Sequence, residues 1–334
     1  MASRAHAVVS TAALSAELSL SIADQRSIEF KAVLAAAIGS ISVGFVPMFV
    51  SGLQKAGVDT VSVLVWRYVV ALSILVPLAL WRHQIADEWR RGGKWLVLNG
   101  LTLGTFQVYC YFKAVETLPT SIVVTVFYCY PVLALLLDRI LFRIPVSVST
   151  VVAVCVIVAG VALTSLPGFA GATLDPVGVM FAALSAVGYS VYIAAAYPFT
   201  RKVAPIASAV FIYGSFGLTF GAAAMMGGFA FPSRPELWLN VLFIGTLGGA
   251  LQILSFSYAL PRLASSGYAV IVCLEVVTVV LAGVVLLGET LLPVQWIGIV
   301  LVLGGILLAR ASSNRPPVAE PVPVTSVEQT MGKT

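Results

Sequence analysis

Ten stretches of roughly 20 mostly apolar residues, parted by short polar or basic segments, run from Phe30 to Arg310. They cover 30 to 53, 60 to 81, 95 to 115, 119 to 138, 147 to 166, 176 to 197, 205 to 227, 237 to 259, 265 to 287 and 292 to 310. A run of this length crosses the hydrocarbon layer as a helix. The pattern therefore predicts an all-α integral membrane protein with ten transmembrane helices.

The spans fall into two similar sets. A gapless shift of 145 residues lays Gly100, Gly104, Gln107, Ala114, Leu118, Ser121 and Gly160 on Gly245, Gly249, Gln252, Ala259, Leu263, Ser266 and Gly305. A first repeat at 30–166 and a second at 176–310 follow. Each holds five spans, an odd number, so the second enters the membrane in the opposite sense. Two inverted five-helix repeats around an axis in the membrane plane favour alternating access, one half rocking against the other around a central site.

Charge orients this arrangement. Short cytoplasmic loops carry the excess of Lys and Arg, and alternate loops are basic. Arg4, Arg26 and Lys31 precede the first span, Arg82, Arg90, Arg91 and Lys94 follow the second, and Arg139 and Arg143 follow the fourth. Arg201 and Lys202 follow the sixth, Arg262 the eighth, and Arg310, Arg315 and Lys333 the tenth. Both termini are expected in the cytoplasm. With 60% apolar and 10% charged residues, the net charge of +5 serves this asymmetry and gives no argument for a nucleic-acid partner.

Residues 1–29 read as a cytoplasmic tail, since Glu17 and scattered serines interrupt any signal-like run. Residues 311–334, with Pro316, Pro317, Pro321 and Pro323 among polar residues, read as a disordered cytoplasmic tail. Cys110, Cys129, Cys155 and Cys273 lie inside apolar spans without metal-ligand spacing, so neither a metal nor a disulfide framework is expected.

The few polar residues within spans are the candidate chemistry. A charge at mid-bilayer costs roughly 3 kcal/mol, so such groups face a cavity or a partner. Glu275, near the middle of the ninth span, is either a cation or proton site or a neutral carboxyl hydrogen-bonded between helices. Arg67 cannot lose its proton and is either paired inside the bundle or an anchor for a substrate carboxylate. Lys113 sits where its stem snorkels to the interface, with an outer-gate role as the alternative. Gln107 and Gln252, each one turn beyond a glycine, either join helices or line a cavity. If the Gly100-x-x-x-Gly104 and Gly245-x-x-x-Gly249 helices cross closely, the two amides meet near the pseudo-twofold axis. Tyr109, Tyr111, Tyr128, Tyr130, Tyr189 and Tyr192 lie well within spans, away from the interfacial belts, and together suggest an amphipathic cavity. Pro47 and Pro131 interrupt the first and fourth spans as candidate kinks or gating hinges.

With Trp66-Arg67-Tyr68-x-x-Ala71, the stretch from Ala114 to Leu141 containing Tyr130-Pro131-Val132, and Tyr258-Ala259 through Leu274-Glu275-Val276 to Leu287-Gly288-Glu289, the chain resembles the ten-helix, EamA-type branch of the drug/metabolite transporter superfamily. The resemblance spans Phe30 to Arg310. It implies export of small metabolites across a bacterial inner membrane, through a cavity lined largely by the first, third, fourth, sixth, eighth and ninth helices. Arg67 matches the family's basic position in the second span, Glu275 the acid of the ninth and Glu289 the acid closing the repeat. Val276 stands where the family commonly has proline after the ninth-span acid, and Arg143 stands near where the first repeat would carry its acid.

These readings converge on a secondary transporter or facilitator, with alternating access and net export, for a small amphoteric metabolite resembling an amino acid. Its contacts are expected to be Arg67, Gln107, Tyr111, Tyr130, Tyr189, Tyr192, Gln252 and Glu275, with Glu275 also the candidate proton site. Efflux of hydrophobic cations through Glu275 and a non-transporting membrane scaffold are the alternatives. Phosphorylated sugars would need more cationic groups than Arg67 and Lys113. No assembled catalytic set argues for an enzyme: His6 and His83 lie outside the spans, and Asp138 stands alone at a helix end. No nucleotide-binding loop accompanies the spans. No cofactor and no obligatory protein partner are expected; the partners are the substrate and the bilayer.

Overall fold

The computed structural model describes residues 24–82, 85–166, 175–288 and 290–312. Of the expected tails at 1–29 and 311–334, residues 24–29 and 311–312 are helical and extend the neighbouring spans, while 1–23 and 313–334, together with His6, His83 and Glu289, lie outside the described residues. The described chain is helical throughout, and its first helix begins at Asp24, six residues before the expected span.

Among the described residues eight helices are long and apolar enough to cross a membrane: α1 (Asp24–Lys55), α2 (Thr60–Trp81), α4 (Ser121–Leu141), α5 (Val148–Ser165), α6 (Pro176–Thr200), α7 (Pro205–Gly227), α8 (Pro235–Leu286) and α9 (Pro293–Ser312). The expected third span is also helical, over 94–117, and is termed α3. Asn99 and Gln107 dilute its apolar run. The expected eighth and ninth spans are joined in α8. A straight helix of 52 residues would measure about 78 Å, more than twice the hydrocarbon thickness of roughly 30 Å. Ala264, at φ 60° and ψ 176°, breaks it into two arms, α8a (235–263) and α8b (265–286).

The backbone irregularities repeat along with the sequence. In α3 a π-helical turn occupies Gly100–Gly104, and in α8a another occupies Thr246–Leu251, overlapping the same place 145 residues on. α4 is interrupted at Tyr128 and Cys129, and α8b at Cys273, which is Tyr128 shifted by the same interval. Proline is not what interrupts α8b: Val276 keeps its N–H and donates to Cys273 O at 3.2 Å, forming a tight turn.

The two glycine pairs do not meet. Gly100 and Gly104 in α3 lie against Ser215 and Phe216 of α7, whereas Gly245 and Gly249 in α8a lie against Val70 and Ala71 of α2. The closest backbone approach is elsewhere, between α5 and α9. A side chain at Gly160 would meet Gly298 O and Val302, and one at Gly305 would meet Ile157 and Ala153 O.

Candidate functional site

The irregular turns put polar groups at the centre of the bundle. π turns recur at functional sites, and within that of α8a the Gly248 carbonyl receives the guanidinium of Arg67: Nη2 donates to Gly248 O and, at 3.3 Å, to the Tyr213 hydroxyl. Tyr213 in turn donates to Gln252 Oε1 at 2.8 Å. One chain of polar contacts thus joins α2, α7 and α8a. Arg67 Nε is buried without an acceptor, so the site leaves part of this fixed cation unsatisfied.

Gln107, beside the matching π turn of α3, donates from Nε2 to Ser185 Oγ of α6 at 3.3 Å. Among the described residues no hydrogen bond joins the two glutamines, because the helices carrying them pack on different neighbours.

Glu275 stands in the first turn after the break in α8b. The Tyr128 hydroxyl, at the equivalent break in α4, lies within hydrogen-bonding reach, and Arg67, Tyr111 and Tyr189 are close enough to interact with its charge. Among the described residues the ion pairs are Arg91–Glu88, Lys113–Glu116 and Arg310–Glu29, so no salt bridge quenches Glu275 and Arg67 against each other. Glu275, Arg67, Gln107, Gln252, Tyr111 and Tyr189 are all only half-buried although they lie deep among helices. Electrostatic coupling of Glu275 to Arg67, Tyr111 and Tyr189 places these four near one another.

An aromatic wall flanks these groups. Phe127 packs against Tyr111 at 5.5 Å and Tyr189 at 5.4 Å between ring centroids, and Tyr130 meets Tyr189 edge-on at 4.8 Å. Tyr130 is fully buried, donating to Ala269 O at 3.3 Å, and Tyr192 is buried between Phe216 and Phe256. Both stand behind the accessible surface. Tyr109 is 54% exposed and points out of the bundle. Lys113 pairs with Glu116 at 2.9 Å, away from the centre. Pro47 and Pro131 each occupy the first turn of the helical segment that resumes after a break, at Phe45 and at Cys129 respectively.

Sequence reasoning did not name Tyr213 or Ser185 and left Tyr128 within a general tyrosine cluster. A tyrosine in mid-span needs a partner for its hydroxyl, a signal that was available for Tyr213. Ser185 carries no comparable mark. A separate cavity of about 440 Å³ lies at one end of the bundle, bordered by Glu88, Arg91, Arg201, Lys202, Pro261 and Arg262.

An all-helical, multi-pass bundle built from two like sequences, with unquenched polar groups at its middle, belongs to the class of integral membrane transport proteins. The profile of the EamA-like transporter family matches residues 30–166 and 176–311, and the chain belongs to that family, within the drug/metabolite transporter superfamily. It is 25% identical over 273 residues to an uncharacterized transporter of Archaeoglobus fulgidus, covering 81% of this chain and 93% of that protein. A crystal structure of a protein 19% identical in sequence superposes with a TM-score of 0.72, over 85% of this chain and 99% of the other, and shows the shared fold.

Proposed function

We propose that the chain is a secondary transporter of small amphoteric metabolites, amino-acid-like in size and charge, working by alternating access. The observation that carries this reading is the pairing without contact of Arg67 and Glu275. A fixed cation and a carboxyl, each only partly buried, lie within electrostatic reach of each other without being joined by a salt bridge. An ammonium and a carboxylate on one small molecule complement these two charges, while Tyr111, Tyr189 and Phe127 offer an apolar flank.

In this reading α8 crosses twice by turning at Ala264, and α3 crosses despite its polar residues, giving ten crossings as two inverted repeats with both termini in the cytoplasm. The end holding Arg91, Arg201, Lys202 and Arg262 is then cytoplasmic. Net export across a bacterial inner membrane, without bound nucleotide or chemical conversion of the substrate, completes the proposal. A second reading has one observation in its favour: Glu275 sits beside Tyr111, Tyr128 and Tyr189, whose rings suit a hydrophobic cation.

Counterflow in liposomes tests both. The expected result is accumulation of labelled amino acids driven by unlabelled ones. Flux of hydrophobic cations alone, lost in Glu275→Gln, would replace the first reading with the second. No flux of either class across a broad panel would favour a scaffold.

A further inference from the structure

Two carboxylates of the first repeat reach across to the second and do the work of helix caps there. Asp138, read from the sequence as a lone acid at a helix end, is completely buried near the end of α4. Its Oδ2 accepts from the backbone N–H of Ser266 at 2.7 Å, and the Ser265 N–H and both serine hydroxyls lie within reach of the same carboxyl. These are the first residues of α8b after the break at Ala264. Glu88, in the connection between α2 and α3, is also buried. Its Oε2 accepts from the N–H of Ala204 at 3.1 Å, immediately before α7, while Oε1 receives Arg91 at 3.3 Å.

The initial N–H groups of a helix have no partner within it, and a residue just before the helix usually supplies one. Asp59, Ser147 and Asp175 do so for α2, α5 and α6. Ala264 has no side-chain acceptor to offer, so α8b takes its cap from Asp138 of the other repeat, while Glu88 takes the N–H of Ala204, the residue that leads into α7. Both remote caps lie at the same end: Glu88 borders the basic cavity there with Pro261 and Arg262, two residues before the Ala264 break. Asp138 Oδ1 and Ser265 Oγ are both buried without a well-formed hydrogen bond of their own.

From this geometry we infer that Asp138 and Glu88 are positioning residues forming a latch. They shut the Arg262 end of the bundle by holding first-repeat carboxylates on second-repeat helix starts, and they let go when that end opens. Asp138 holds the helix that carries Glu275 about 14 Å further along, nine residues at 1.5 Å each. The inference rests on the transporter reading above, but its test needs no substrate.

Hydrogen–deuterium exchange is measured on wild type, Asp138→Asn, Asp138→Ala and Glu88→Gln in lipid nanodiscs. The latch predicts exchange about tenfold faster at 265–268 in Asp138→Ala, a smaller rise in Asp138→Asn, whose amide oxygen still accepts, and faster exchange at 203–208 in Glu88→Gln. Unchanged exchange at these segments overturns it. Faster exchange throughout α2 in Asp138→Ala would indicate loss of fold, and the Asn variant then decides.

Gating is read by placing Gln107→Cys in a background with the four native cysteines replaced by alanine and adding a water-soluble maleimide from either side. Release of the latch predicts several-fold faster labelling from the Arg262 side and slower labelling from the other. Equal rates with and without Asp138 would make the carboxylate a static staple and sink the proposal. Failure of amino-acid counterflow would leave both readouts intact.

Discussion

The two helix breaks at the centre, at Tyr128–Tyr130 in α4 and at Cys273–Glu275 in α8b, are the same place in two copies of one sequence, yet they do opposite things. In α4 the residue two positions past the start of the break is Tyr130, sealed from solvent and bonded to the Ala269 carbonyl. In α8b the matching residue is Glu275, a carboxyl that keeps part of its surface accessible and lies within reach of Arg67 and Tyr128. The backbone device is common; the side chain decides whether it builds wall or site. The polar amides diverge in the same way: Gln252 is tied through Tyr213 to Arg67, whereas Gln107 holds only Ser185.

The largest expected effect tests that contrast directly. Glu275→Gln should abolish pH-driven flux in liposomes while sparing substrate exchange, and Tyr130→Phe should leave both within about twofold, because it removes one neutral hydrogen bond of ~1 kcal/mol. A Gln variant that keeps its full response to a pH gradient would remove the proposed proton role from the second half. Next come the amides. Gln252→Ala should raise the half-saturating substrate concentration about tenfold, equivalent to ~1.4 kcal/mol, and Gln107→Ala by less than about threefold. Equal effects would mean the halves contribute alike.

A smaller effect concerns stability. Gly298→Ala puts a methyl group within 2.6 Å of Gly160 O and 2.8 Å of Thr164 N, backbone atoms with little room to retreat. A loss of ~1 to 3 kcal/mol is expected, read as a lowered melting temperature in detergent. Gly304→Ala, with open space around it, should be neutral or stabilising. The smallest effect belongs to the local cap. Burial raises the Asp59 carboxyl, but hydrogen bonds from Ser62 and the backbone outweigh it and hold the group below its ordinary 3.8. Its contribution is therefore present above pH 3.8 and lost as pH falls through the lower folded value. Asp59→Ala should cost ~1 kcal/mol at neutral pH and nothing more in strong acid, as measured by melting across that range.

Much of this was legible because the membrane simplifies the code: apolar length marks helices, and each polar residue inside them demands a reason. Arg67, Glu275 and the glutamine pair stood out on those grounds. Tyr130 and Tyr192 stood out equally, but whether a buried ring fronts a cavity or backs it depends on helix rotation, which a continuously apolar span does not encode. The Gly248 carbonyl was invisible for another reason. It is a backbone atom within a π turn, and no residue type announces it. Asp138 and Glu88 were hidden because their partners are N–H groups more than a hundred residues away.

The seam between α5 and α9 has a history written in its contacts. Gly160 touches Gly298 and Val302, and Gly305 touches Ala153 and Ile157. Moved back by 145 residues, Gly305, Gly298 and Val302 become Gly160, Ala153 and Ile157, so the second set of contacts is the first one with its partners exchanged. That reciprocity is the signature of an isologous interface, the kind a self-complementary homodimer makes across a twofold axis. A five-helix chain set against an inverted copy of itself would make these same contacts along this line.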